Sequence, residues 1–231
     1  MHDFGKIAYL DLQKTGSSFV SLFLKKCCSL EQIRFSKHDW VREDYNPKCF
    51  YFITIRNPLS IYSSLYRYGL DNRGGLWTRM NKKNLLSVYD SFDEFVNFLL
   101  NEENAKIFGL GYNSEISYLI GFMSFRFLKL SLQFPMKKIL NYVNTGKNLQ
   151  ELEKKMITNL EIKQENLENE LLNLSQILKP NFFDQNKVNN FFKSNIKLNT
   201  STTKEEEISN LSKRTYEHLV QKEWLLFSRY N

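Results

Sequence analysis

Three cysteines in 231 residues, Cys27, Cys28 and Cys49, form neither an even set nor a metal-ligand spacing, which excludes a disulfide scaffold and a zinc module. They read as reduced core residues of a cytoplasmic protein. No apolar run reaches about 18 residues, and the N-terminus enters a strand with no charged segment followed by an apolar one. Neither a membrane span nor a signal peptide is therefore expected. The longest greasy stretch, Ile116 to Leu132, is interrupted by Arg126 and Lys129 and reads as a buried or groove-lining helix. Internal repeats and low-complexity tracts are absent. Core material is plentiful: 42% of residues are apolar and 15% aromatic, more than a disordered chain carries. At this length one domain, residues 1–231, is the expectation. The net charge of +7 fits a nucleotide, a sulfated or phosphorylated substrate, nucleic acid or a membrane surface, without choosing among them.

Three strand-then-helix units can be read along the chain. Lys6 to Leu12 (KIAYLDL) is an apolar run ending in Gln13-Lys14-Thr15-Gly16-Ser17-Ser18, after which Phe19, Leu22, Phe23 and Lys26 recur at helical spacing. Cys49 to Ile55 (CFYFITI) has the near-continuous apolar character of a strand buried on both faces. Asn57 then suits a helix N-cap and Pro58 the first helical position. Leu160 to Gln164 leads into a helix running to about Leu178 and stopped by Pro180. Such units imply a parallel sheet with helices on its faces. Between the second and third lies a largely helical insertion, about residues 91–159, whose Lys/Glu-rich part reads as a solvated face. A polar stretch, NTSTTKEEE, precedes a closing helix at about residues 208–228 that is expected to pack back on the core.

Two corners carry the chemistry. Lys14-Thr15-Gly16-Ser17-Ser18 sits where a strand hands over to a helix, so the unpaired amides of the first turn face whatever occupies the loop. Gly16 permits a tight turn, Thr15, Ser17 and Ser18 supply hydroxyls, and Lys14 supplies a positive charge; a ligand-free polar loop is the alternative. A single glycine after the lysine is not a Walker A loop. At the second corner, Arg56 ends a central strand, where open α/β sheets bind ligands, and its guanidinium can grip a phosphate bidentately. Ser60 and Ser64, four apart, share one helical face. Taken alone, Arg56 reads equally as a structural ion-pair partner.

Together these segments resemble the sulfotransferases that use 3′-phosphoadenosine-5′-phosphosulfate (PAPS), in particular the carbohydrate-acting branch. IAYLDLQKTGSSFVSLFL is similar to that family's first strand, 5′-phosphosulfate loop and following helix. FITIRNPLSIYSSLYRYG is similar to its 3′-phosphate element, with Ser64 eight residues after Arg56. IKQENL resembles a strand ending in E-N-L, and Asn199-Thr200-Ser201 a late N-x-S before a closing helix. Gln13, Ser17 and Asn57 depart from the usual proline, glycine and aspartate, and the EWLLFSRYN ending lacks an acidic-then-F-x-Y pattern.

The resemblance implies an α/β, P-loop-like three-layer sandwich with a central parallel sheet. It also implies sulfuryl transfer from PAPS to a hydroxyl or amine acceptor, a carbohydrate or glycolipid. Lys14 would meet the leaving phosphate, Thr15, Gly16, Ser17 and Ser18 would hold the 5′ end, and Arg56 and Ser64 the 3′-phosphate. No metal is required. For the acceptor's base, His38 in SKHDW is favoured because members acting on uronic-acid hydroxyls carry histidine in that linker, with Asp39, Glu43 and Asp44 as alternatives. His2 lies near an expected mobile end and His218 on the late helix. Tyr66 to Arg79 reads either as a sugar groove or as a folded surface loop. The rival readings are a non-catalytic nucleotide- or polyanion-binding module, a P-loop kinase, which would carry a Walker A loop, and a nucleic-acid binder, whose motifs are absent.

Overall fold

The short apolar runs become strands because β-branched and aromatic side chains at those positions are covered on both faces. In the computed structural model, which describes residues 1–135, 138–141, 150–178, 182–194 and 210–231, the strands are β1 (His2–Asp3), β2 (Ile7–Leu10), β3 (Arg34–Phe35), β4 (Phe50–Ile55) and β5 (Leu160–Lys163). They form one mixed sheet in the order β3-β1-β2-β4-β5. β2, β4 and β5 run parallel, as the strand–helix units lead one to expect. β1 pairs antiparallel with both β2 and β3, so the sheet as a whole is not the purely parallel one read from the sequence. Two-residue strands have no period to read; their pairing defines them, His2 against the nearby Tyr9 and the remote Phe35.

The helices among the described residues include α1 (Ser17–Cys27), α2 (Pro58–Leu70), α3 (Gly74–Lys82), α4 (Phe92–Leu100), α5 (Ala105–Phe108), α6 (Ser114–Leu119) and α7 (Phe122–Ser131), followed by α8 (Gln150–Glu153), α9 (Leu167–Ile177), α10 (Gln185–Lys193), α11 (Lys213–Lys222) and α12 (Trp224–Tyr230). None among the described residues is long and apolar enough to cross a membrane. The chain divides into two compact units, one of residues Met1–Arg56, Lys129–Pro135 and Lys154–Thr200, the other of Asn57–Leu128, Met136–Glu153 and Ser201–Asn231. Pro180 and the polar stretch from Asn199, including Asn199-Thr200-Ser201, lie outside the described residues.

In the first unit α1 presents Val20, Phe23, Leu24 and Cys27, a stripe at i, i+3, i+4 and i+7, to the sheet face formed by Ile7, Tyr9, Phe52 and Ile162. Leu167, Leu171 and Leu174 of α9 and Val188 and Phe191 of α10 complete that core. The alternate strand residues Ala8, Leu10, Ile53 and Ile55 are buried as well, which is why β2 and β4 read as unbroken apolar runs. Cys27 and Cys49 are buried, Cys28 is half-buried, and all three are thiols.

In the second unit the Asn57 side chain accepts from Leu59 N at 2.9 Å with Pro58 beside it, the start that the sequence indicates for α2. Ser91 caps α4, and Tyr66, Tyr89, Phe92 and Phe95 cluster between α2 and α4. The stretch from Ile116 to Leu132, read as one helix, is broken at Ile120-Gly121 into α6 and α7. One dipeptide serves both ends of the break. Lys222 Nζ donates to the α6 carbonyls of Ser117, at 2.7 Å, and Tyr118, at 3.0 Å, and pairs with Glu102. Glu223, fully buried, accepts from Met123 N at 2.9 Å, Ser124 N at 2.7 Å and Tyr62 Oη at 2.6 Å. A cation thus meets the C-terminal end of α6 and an anion the N-terminal end of α7, the signs the helix dipoles favour. A Cβ on Gly121 would lie 2.3 Å from Glu223 Oε1, so any larger residue there would displace the carboxylate from its donors. The closing helix also breaks at Glu223, into α11 and α12, and α11 is held to α4 by Asn97 Nδ2 on Thr215 Oγ1 at 2.8 Å.

Candidate functional site

Parallel pairing brings the carboxyl ends of β2, β4 and β5 to the same end of the sheet, so the segments that follow them meet there. After β2 the chain turns sharply, with Lys14 at φ +65° and Gly16 at φ +87°. Gly16 is the N-cap of α1 and offers no capping side chain, and no acidic residue lies in the first turn. The amides of Ser17 and Ser18 have no preceding helical carbonyl to bond. Ser17 is half-buried and Ser18 exposed.

The Thr15 hydroxyl, enlisted from the sequence as a donor to a bound anion, is instead used inward. Thr15 is fully buried, and its Oγ1 donates to Leu12 O at 2.7 Å and lies 2.6 Å from Thr54 Oγ1. With its only proton committed to Leu12, Thr15 accepts from Thr54, which in turn accepts from Tyr9 Oη at 2.7 Å. This buried chain ties the loop to β2 and β4, and nothing local in the sequence announces it.

Gly16 is needed for two reasons. Its φ suits glycine, and a Cβ there would lie 2.7 Å from Leu167 Cδ2 and 3.4 Å from Gln164 Cγ. The loop therefore rests on the β5–α9 junction, which joins the K-T-G-S-S segment to the Q-E-N-L segment. Gly16→Ala is expected to destabilise the protein by about 2–4 kcal/mol, from left-handed strain plus overpacking. Urea unfolding measures this, and a loss under about 0.5 kcal/mol would contradict the tight seat.

Arg56 follows β4 directly and is half-buried, with Nη1 3.5 Å from Lys14 O. Lys14 and Arg56 thus converge in the first unit. Ser60 and Ser64 are half-buried on α2, in the second unit.

His38 occupies a left-handed turn after β3, at φ +55°. Its backbone N donates to Asp11 Oδ1 at 2.8 Å and its Nδ1 to the Asp11 main-chain oxygen at 2.7 Å. Asp11 follows β2, three residues before Lys14, so His38 is drawn to the carboxyl end of that strand. A carbonyl only accepts, so Nδ1 carries the proton and the neutral ring has its lone pair on Nε2. Among the alternative bases, burial pushes the Asp39 carboxyl up, but hydrogen bonds from Trp40 N, Ser36 Oγ and Arg42 outweigh it and hold the group below the ordinary range. Asp44 is exposed and paired with Arg34, and Glu43 is exposed.

His2 is not at a mobile end. It lies in β1, only 7% exposed, with Nε2 2.8 Å from Ser21 Oγ and Nδ1 3.1 Å from Gln32 Nε2. Burial drives its pKa down to about 4. Gln32 donates to Nδ1, so Nε2–H donates to Ser21, the opposite tautomer to His38. His218 lies on α11 in the second unit, its pKa lowered by burial.

In the Tyr66–Arg79 segment, Tyr66 is buried with its hydroxyl on Tyr89 O, Arg73 stacks over Tyr68 at 4.6 Å, and Arg79 donates to Phe108 O. The aromatic face of Tyr66 is thus used in the fold. No protein-family model, curated protein or solved structure matches the chain.

Proposed function

We propose that the chain is a PAPS-dependent sulfotransferase, built as a P-loop-like three-layer sandwich, that transfers a sulfuryl group to a hydroxyl or amine acceptor of the carbohydrate class. The observation that carries this reading is the convergence of Lys14 and Arg56 at the carboxyl ends of two adjacent parallel strands, with Arg56 Nη1 3.5 Å from Lys14 O. Open amides at the start of α1 and the Lys14 charge suit the 5′-phosphosulfate, and the Arg56 guanidinium suits the 3′-phosphate.

In the transfer, the acceptor O–H gives its proton to His38 Nε2, the acceptor oxygen forms a bond to sulfur, and the sulfur–oxygen bond to the 5′-phosphate breaks. The electron pair stays on that phosphate, where Lys14 and the loop amides meet the developing charge, and 3′,5′-ADP leaves. As in in-line phosphoryl transfer, positioning and charge stabilisation dominate.

Calorimetry tests the nucleotide assignment. The protein is expected to bind 3′,5′-ADP in clear preference to ATP. Arg56→Ala, with unchanged circular dichroism, is expected to lose about 2–4 kcal/mol of that affinity, the worth of a charge-assisted bidentate contact. Equal affinity in a folded variant overturns the role of Arg56, and no binding of 3′,5′-ADP by the parent overturns the function.

A further inference from the structure

Asp11 stands immediately after the apolar run of β2 and is only 2% exposed. Nothing in its spacing marks it as functional, yet it meets His38 three times. Its Oδ1 accepts the His38 backbone N–H at 2.8 Å, its Oδ2 lies 3.3 Å from Nδ1, and its main-chain oxygen accepts Nδ1–H at 2.7 Å. The Met1 ammonium shares Oδ1 at 2.6 Å. His38 holds φ +55°, a backbone conformation that a residue with a Cβ keeps only where its surroundings hold it. The Asp11 carboxylate on the His38 amide provides that hold.

We propose that Asp11 is the positioning residue for His38: by gripping the His38 amide it fixes the left-handed turn, seats Nδ1–H on its own carbonyl, and holds the neutral imidazole with Nε2 as proton acceptor. The side chain thus acts through the backbone, and the carbonyl through the ring. A contrast within the same unit makes the point specific. His2 has its Nδ1 occupied by the Gln32 amide and its Nε2–H on Ser21 Oγ, so two histidines of one sheet margin are set in opposite tautomers by their second partners. Only the His38 setting leaves Nε2 as the basic nitrogen. The catalytic meaning of this arrangement rests on the reading of His38 as base; the tautomer itself does not.

Nuclear magnetic resonance of the full chain carrying isotope-labelled histidine tests it without any nucleotide or acceptor. In the parent, above the pH at which the rings are neutral, His38 is expected to show its proton on Nδ1 and His2 on Nε2. Asp11→Asn keeps the shape but sets an amide N–H against the ring, and Asp11→Ser removes the reach. In either folded variant the Nε2–H form of His38 is expected to become the majority while His2 stays unchanged. A parent His38 with its proton on Nε2 overturns the proposal, and so does a folded variant that keeps Nδ1–H. Should both variants lose the fold, coupling across the hydrogen bond from Nδ1–H to the Asp11 carbonyl carbon decides on the parent alone, and its absence overturns the proposal. A parent with the expected tautomer that binds no 3′,5′-ADP would remove the transferase reading and leave the Asp11–His38 arrangement standing.

Discussion

His38→Ala is expected to leave 3′,5′-ADP affinity unchanged while lowering acceptor-dependent sulfuryl transfer by roughly 10²- to 10⁴-fold, the usual range for removing a general base. Nucleotide affinity is spared because the groups proposed to hold the nucleotide are the α1 amides, Lys14 and Arg56, and none of them depends on the His38 ring. The transfer rate is not spared, because the acceptor proton then has no destination. The rise of rate that accompanies loss of the imidazole proton disappears in the variant. Since water can attack PAPS without such a base, slow hydrolysis is a poor readout, and an acceptor screen must come first. His38→Gln is also expected to be slow: it preserves polarity but supplies no proton acceptor of comparable basicity. A folded His38→Ala protein that transfers at the parental rate with the parental pH profile excludes His38 and leaves the base unassigned. Asp39 would be a weak replacement, because Trp40 N, Ser36 and Arg42 hold its carboxyl below the ordinary range.

The parts of this arrangement that could be read from sequence are those whose causes are local. Apolar continuity marks β4, helical spacing marks α1, though its buried stripe is Val20, Phe23, Leu24 and Cys27 and not Phe19, Leu22, Phe23 and Lys26, and Asn57-Pro58 marks the start of α2, because each is set by neighbours within a few residues. The places of Lys14 and Arg56 in the chain could be read for the same reason: Arg56 directly follows one apolar run and Lys14 stands in the loop after the other. The convergence of the two needs β2 and β4 to be parallel neighbours, which the strand–helix alternation implies. What escaped is non-local or directional. β1 and β3 exist only through pairing with each other and β2, so the burial of His2, read as lying near a mobile end, was not expected. The inward turn of Thr15 depends on Thr54, 39 residues on. Asp11 offered one available signal, an acid inside the apolar run KIAYLDL, but its meaning depends on His38, 27 residues away. The Lys222-Glu223 dipeptide looks like an ordinary charged pair on a late helix until α6 and α7 are placed against it.

Glu223→Ala is expected to destabilise the protein by about 3–5 kcal/mol, since it strands three buried donors, Tyr62 Oη, Met123 N and Ser124 N, that have the carboxylate as their acceptor. Glu223→Gln separates charge from shape. Its Oε1 can still accept from Tyr62 and Met123, but its amide N–H faces the Ser124 N–H, so a smaller loss of about 1–3 kcal/mol is expected. The two variants also differ from the parent in pH dependence. Burial pushes the Glu223 carboxyl above the ordinary range, against the pull of the hydrogen bonds from Ser124, Tyr62 and Met123. A raised folded-state pKa means that the native protein holds this proton more tightly than the unfolded chain. The stability gained from it is fully present below the ordinary carboxylate pKa and is lost as pH rises through the raised one. Through this group alone, parental stability should therefore fall as the pH is raised through and above the ordinary carboxylate range, and the Gln variant, with nothing to titrate there, should lack that part of the slope. Urea unfolding of parent and both variants across that range reads magnitude and slope together. A cost below about 1 kcal/mol for Glu223→Ala would mean that the break between α6 and α7 does not depend on this carboxylate. Identical slopes for parent and Glu223→Gln would mean that Glu223 gains no affinity for its proton on folding.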